Sequence, residues 1–148
     1  MGEKTEERRY LMIITQKVTM DMLHRSATPR MDAVQDDQNT RAVEFCLLAD
    51  GIPFPIPADA QVKVHYVRPD GSGRTYKETE RQELAYSIVG NCVTVHVNPE
   101  VLEQAGSVLL SATVFGSGYV ISTFHILIDV QPNIPKSWMM ENEIPEGM

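Results

Sequence analysis

Four histidines, two cysteines and 20 acidic side chains are the groups in this 148-residue chain that could bind a metal or move a proton. Their spacing argues against both uses. His65, His96 and His125 fall in three segments of alternating polarity, each opposite the clearer apolar face, and His24 stands near the start of a polar loop. Zinc needs three or four ligands converging at about 2 Å, and outward residues on strands divided between two sheets do not converge. All four read as solvent-facing or interface histidines. Asp36-Asp37 near Asp32 lacks the spaced Asp/Asn positions and terminal Glu of a calcium loop. There is no Gly-x-Ser-x-Gly elbow, and the Gly71-Ser72-Gly73 and Gly116-Ser117-Gly118 triplets lack the following helix and Lys of a phosphate loop. Cys46 and Cys92 have no signature neighbourhood; they read as two inert thiols, with a Cys46–Cys92 bridge as the alternative. The expectation is a protein that is not an enzyme and uses no cofactor and no metal.

Composition narrows the class further. Hydrophobic content of 43% with 22% charged residues suits a single globular domain rather than a disordered chain. A net charge of −7 and scattered basic residues argue against nucleic acid, because neutralising phosphates needs clustered Lys and Arg. The stretch from Met1 to Arg9 is charged throughout, and the apolar run Tyr10 to Ile14 is too short for a signal-peptide core. Nothing approaches the roughly 18 apolar residues of a membrane span. Synthesis and folding in the cytosol, with no membrane partner, are expected.

Period-two alternation dominates from Ala42 to Val130. Val43, Phe45 and Leu47 share one face of a first strand, with Glu44 and Cys46 on the other. Val62, Val64 and Tyr66 oppose Lys63 and His65, and Val93, Val95 and Val97 oppose Thr94 and His96. Gly90-Asn91 predicts a two-residue hairpin, Pro69-Asp70-Gly71 a tight turn, and Gly116-Ser117-Gly118 a second hairpin before a long apolar strand, Tyr119 to Val130. Asn98 as cap, Pro99 at the first helical position and Gly106 after the last turn predict one short helix. Tyr10 to Met20 reads less clearly as a strand, and Arg25 to Asn39 reads as a polar loop. The expected fold is all-β, an antiparallel Ig-like β-sandwich of about seven to nine strands with one short helix. Residues 1–9 form a charged N-terminal segment, 10–131 the sandwich and 132–148 an extended tail.

The tail carries the chain's candidate binding residues. Pro132 and Pro135 cannot continue a central strand, and beyond them the single Trp, Trp138, stands beside Met139 and Met140. Large apolar anchors of this kind serve binding segments. Ile134, Trp138, Met139 and Met140 are the expected partner contacts, with Glu141, Glu143 and Glu146 at the rim.

The order of these elements resembles the N-terminal domain of the phage baseplate upper proteins. The resemblance rests on Thr19-Met20-Asp21-Met22, on Gln35-Asp36-Asp37-Gln38-Asn39-Thr40-Arg41, on Arg68-Pro69-Asp70-Gly71, and on the strand-to-helical-turn step from Val97 to Gly106. Asp36 stands where the family has Gly, and Thr40 where it has Ser. The resemblance implies a structural adaptor of a phage or phage-like tail baseplate, docking receptor-binding or fibre components onto the tail. The implied partners are baseplate or distal tail proteins, receptor-binding proteins and further copies of the chain as a homo-oligomer. The implied location is the virion, after synthesis in the bacterial host cytoplasm from a phage or prophage gene. A carbohydrate-binding sandwich is the alternative, with Tyr66, Tyr76, Tyr86 and Tyr119 as its candidate aromatics.

Overall fold

Alternating side chains give each strand one apolar face, and the protein buries those faces between two sheets. The structure, a computed structural model, describes residues 13–24 and 27–133. Within them run β1 (Ile14–Asp21), β2 (Arg30–Val34), β3 (Arg41–Ala49), β4 (Ile52–Pro53) and β5 (Gln61–Val67). Then follow β6 (Gly73–Tyr76), β7 (Tyr86–Val89), β8 (Cys92–His96), a 3-10 turn (Pro99–Leu102), β9 (Gly106–Gly116) and β10 (Tyr119–Gln131). One sheet has the order β1-β3-β8-β7, with β4 folded back onto β3; the other has the order β2-β10-β9-β5-β6. The fold is an all-β sandwich.

The core is the one that the alternation predicts. Val43, Phe45, Leu47, Val62, Val64, Val93, Val95 and Val97 are all buried, and Tyr66 continues the β5 face inward. β9 and β10 supply Val108, Leu110, Val114, Phe124, Ile126 and Ile128 from the second sheet. Phe45 and Phe124 stack across the sandwich with ring centroids 6.0 Å apart, within the range where offset rings attract.

Four features depart from the sequence-based expectation. First, the sheets are mixed: β1 pairs parallel to β3, and β2 parallel to β10. The chain leaves β1 for the other sheet before returning as β3, so the two strands are not joined by a hairpin and can share a direction. Second, the expected polar loop from Arg25 to Asn39 contains β2. Its burial alternates, with Met31 and Ala33 inward, but two apolar positions after Pro29 are too few to read as a strand. Third, the short helix is a single 3-10 turn, and Asn98 does not cap it with its side chain. The Asn98 amide instead donates to the Glu78 carbonyl at 3.0 Å. Fourth, the cysteines are not inert thiols: Cys46 and Cys92 form a disulfide. They are directly opposed where β3 meets β8, both on the outer face, which brings two small side chains together across one ladder rung. The bridge spans a sequence separation of 46 residues, for which chain entropy alone gives a stabilisation of about 4 kcal/mol.

Two turns show why particular residues stand where they do. Asp50 and Gly51 both adopt positive φ, at 54° and 77°, the pattern of a two-residue hairpin between β3 and β4. At Gly90-Asn91 only Gly90 has positive φ, so that hairpin needs one left-handed residue rather than two.

Truncating Phe45 to Ala is expected to cost about 3–5 kcal/mol, because it removes a fully buried ring and its partner across the core. A denaturant melt checks this, and a loss below about 1 kcal/mol would show that β3 does not face the core as described.

Candidate functional site

The turn Pro99–Leu102 carries the chain from β8 in one sheet to β9 in the other. So short a helical segment leaves its last carbonyls without internal partners. Two distant segments supply them. Gln35 donates its side-chain amide to the Glu103 carbonyl at 3.0 Å, and the Asp36 backbone N–H donates to the Leu102 carbonyl at 2.9 Å. From the other side, the Arg68 guanidinium donates to the Glu100 carbonyl at 3.2 Å. Asp36 reaches this position with φ of 69°, a conformation that Asp tolerates better than most residues do.

A second layer of side chains surrounds the turn. Glu100 accepts from the Tyr66 hydroxyl at 2.9 Å and from Arg74 Nε at 2.9 Å, and it also pairs with a second Arg74 nitrogen. Arg68 pairs with Glu103 at 3.1 Å and donates Nε to the Ser72 hydroxyl at 2.9 Å. Asp70 accepts from the Ser72 backbone and from the Gln104 side chain, each at 2.9 Å. Gly106 belongs to the same construction: its φ is 123°, and a Cβ there would stand 2.8 Å from Pro69 Cγ. A side chain at 106 would push the Pro69-Asp70-Gly71 turn away.

Titration follows from these contacts. The Asp70 carboxyl is held at about 2, first by the Ser72 hydroxyl, then by the Ser72 backbone and the Gln104 amide. Partial burial raises the Glu100 carboxyl, but Arg74 and the Tyr66 hydroxyl outweigh it and leave the group below its ordinary value. Tyr76, deeply buried, has its hydroxyl pushed well above the ordinary range; it donates to the His96 carbonyl at 2.7 Å.

The lead-in to β3 completes this end of the sandwich. Asp37 accepts from the Arg41 guanidinium at 3.0 Å and from the Val34 backbone at 3.2 Å. Asn39, at φ of 57°, lies 3.0 Å from His96 Nε2, whose imidazole pKa is lowered by burial. The Ile14 N–H donates to Thr40 and the Gln35 N–H to Gln131, so β1 begins and β10 ends beside the same loop. Three of the four motifs that carry the family resemblance therefore meet at one end of the molecule. The fourth stands at the opposite end, where Asp21 accepts N–H bonds from Leu23, His24, Asp50 and Gly51. The Leu23 amide, then those of Gly51, Asp50 and His24, hold its carboxyl low against the pull of burial.

The remaining sequence-derived candidates stay apart. Each histidine has its own neighbour: His24 with Asp50, His65 with Thr75, His96 with Asn39 and His125 with Ser111. Tyr66 and Tyr76 are buried, 6.2 Å apart, which leaves them out of reach of a sugar. Ile134, Trp138, Met139 and Met140 lie outside the described residues, as do residues 1–9. One cavity of about 80 Å³ opens between Met20, Met22, Thr28, Phe124 and His125, well below the roughly 300–1,000 Å³ of small-molecule sites. Among the described residues, no helix is long and apolar enough to cross a membrane. Sequence reasoning missed the roles of Glu100, Arg74 and Gln104. No local pattern marks them, since their partners lie 26 to 34 residues away in sequence.

Asp70→Asn is expected to destabilise the fold at neutral pH and to flatten its acid limb. A carboxyl depressed from 3.8 to about 2 stabilises the folded state above its unfolded pKa, and that contribution fades as pH falls from 3.8 towards 2. The wild-type and variant melting temperatures, taken across that range, should converge. Parallel curves would show that Asp70 does not titrate as described.

No protein-family model and no curated protein matches this chain.

Proposed function

We propose that the chain is a non-enzymatic docking module of a phage or phage-like tail baseplate, holding receptor-binding or fibre components on the tail. The observation that carries this reading is the use made of the motif residues. Gln35, Asp36, Arg68 and Asp70 hold the crossover from Pro99 to Gln104 through backbone and side-chain bonds, and none lines a cleft. Residues spent in this way specify a shape, which is what an adaptor offers its neighbours.

Two further features support assembly. β1 is an edge strand with Val18 as its one buried residue, and among the described residues no strand covers its outer edge. Among the described residues, β10 pairs with β2 from Leu127 to Gln131, and its earlier half has no strand partner on that side. Self-association in a rotationally symmetric baseplate would use edges of this kind. The tail then acts as the anchor: Pro132 and Pro135 favour an extended path, which lowers the cost of ordering it against a neighbour. Trp138 and Met139 fill an apolar pocket there.

Removing residues 132–148 and measuring co-assembly with phage tail and baseplate proteins tests this reading. Loss of a buried Trp anchor should weaken assembly by about 2 kcal/mol or more, close to 30-fold. The melting temperature should barely move, because the last described strand ends at Gln131. Unaltered co-assembly would remove the tail from the mechanism, and failure of the intact chain to associate with any tail protein would overturn the docking function.

A further inference from the structure

The disulfide takes no part in the packing of the core or in the network around the crossover turn. Cys46 and Cys92 are half-buried on the outer face of the first sheet, in a cross-strand row that runs from Thr19 through both cysteines to Val89, which is 77% exposed. Beneath them, Phe45, Leu47, Val93 and Val95 hold β3 and β8 against the second sheet with no part of the bridge. An external thiol therefore has a route to the sulfurs that does not pass through the core. One charge stands beside them: Glu44 Oε1 is 3.8 Å from Cys46 Sγ, and the carboxylate and both sulfurs lie within 4.8 Å of one another. Lys17 is the register partner of Glu44 on β1; the other neighbours on this face, Thr19 of β1, Thr94 of β8, and Ser87 and Val89 of β7, carry no charge.

We propose that Cys46–Cys92 is a thiol–disulfide exchange site that opens and closes while the sandwich stays folded, and that Glu44 sets its rate. The partner is a small dithiol or its disulfide. A thiolate of the dithiol attacks one sulfur and forms a mixed disulfide; the Cys46–Cys92 bond breaks and its electron pair leaves on the other cysteine, which takes up a proton. The second thiol of the dithiol then closes its own disulfide and releases the first cysteine. The chain gains two electrons and two protons, and the dithiol loses them. Glu44 opposes both halves of this step, because it repels the incoming thiolate and destabilises a thiolate leaving from Cys46. The carboxylate is a positioned brake on exchange rather than a group that takes part in it.

The test treats the full chain with dithiothreitol at neutral pH, quenches with iodoacetamide, and counts alkylated cysteines by mass while following circular dichroism. Two alkylations are expected with the β-sheet spectrum and the cooperative melt both retained. The double variant Cys46→Ser with Cys92→Ser should show the same spectrum, which establishes that the bridge-free sandwich folds. Glu44→Gln should be reduced about 3–10-fold faster at low salt, and the difference should shrink at molar salt, where a charge at a half-buried surface position is largely screened. Reduction that proceeds only in step with loss of the spectrum would overturn the exchange site. A Glu44→Gln rate equal to wild type at low salt would overturn the brake.

Discussion

A single turn of 3-10 helix cannot satisfy its own terminal carbonyls, and this sandwich crosses between its sheets on such a turn. The carbonyls of Glu100, Leu102 and Glu103 receive donors from elsewhere in the chain, from Arg68, Asp36 and Gln35, and of the three residues Leu102 is the buried one. Much of that end of the molecule follows from the requirement. Asp36 adopts a left-handed backbone to present its N–H, Gly106 lacks a side chain so that Pro69 can approach, and Glu100 is clamped by Tyr66 and Arg74. The cost of burying an unmade hydrogen bond, about 1–3 kcal/mol each, is large against the whole stability of a domain. That penalty falls on the carbonyl of the buried Leu102, and the Asp36 N–H removes it.

The same accounting shows where several carboxylates among the described residues are spent. Asp21 spends its carboxylate on four backbone N–H groups, Asp70 on Ser72 and Gln104, and Asp37 on Arg41 and Val34. A carboxylate whose pKa is driven down by donors is a poor general base at neutral pH, because it holds its charge too firmly. The depressed values of Asp21, Asp70 and Glu100 are thus signs of structural use. The proposed docking role would use the fixed outline that these bonds give the described residues.

The sequence disclosed the strand faces because their periodicity is local. Phe45, Val64 and Val95 could be placed inward from neighbours two residues away, and the turn at Gly71 from its own composition. What escaped was long-range or weakly patterned. β2 has only Met31 and Ala33 to mark its face, too few for a period to register. The parallel pairing of β1 with β3 depends on the chain visiting the other sheet between them, which no local pattern records. The disulfide had a legible sign, since Cys46 and Cys92 each fell on the polar face of a predicted strand, but nothing said that the two strands were neighbours. At the network around Glu100, the motif residues and the helical turn were each visible in the sequence, while the long-range bonds that join them were not.

Amide hydrogen exchange at Asp36 tests most directly whether these motifs converge on that turn. Asp36 is an exposed loop residue, and its N–H would exchange quickly if it faced water. The account requires instead that this amide, bonded to the Leu102 carbonyl, be protected to a degree approaching the strand amides. Replacing Arg68 by Ala, which loosens the turn from its other side, should lower that protection although Arg68 does not touch Asp36. An Asp36 amide that exchanges as freely as one in an unstructured loop would contradict the account.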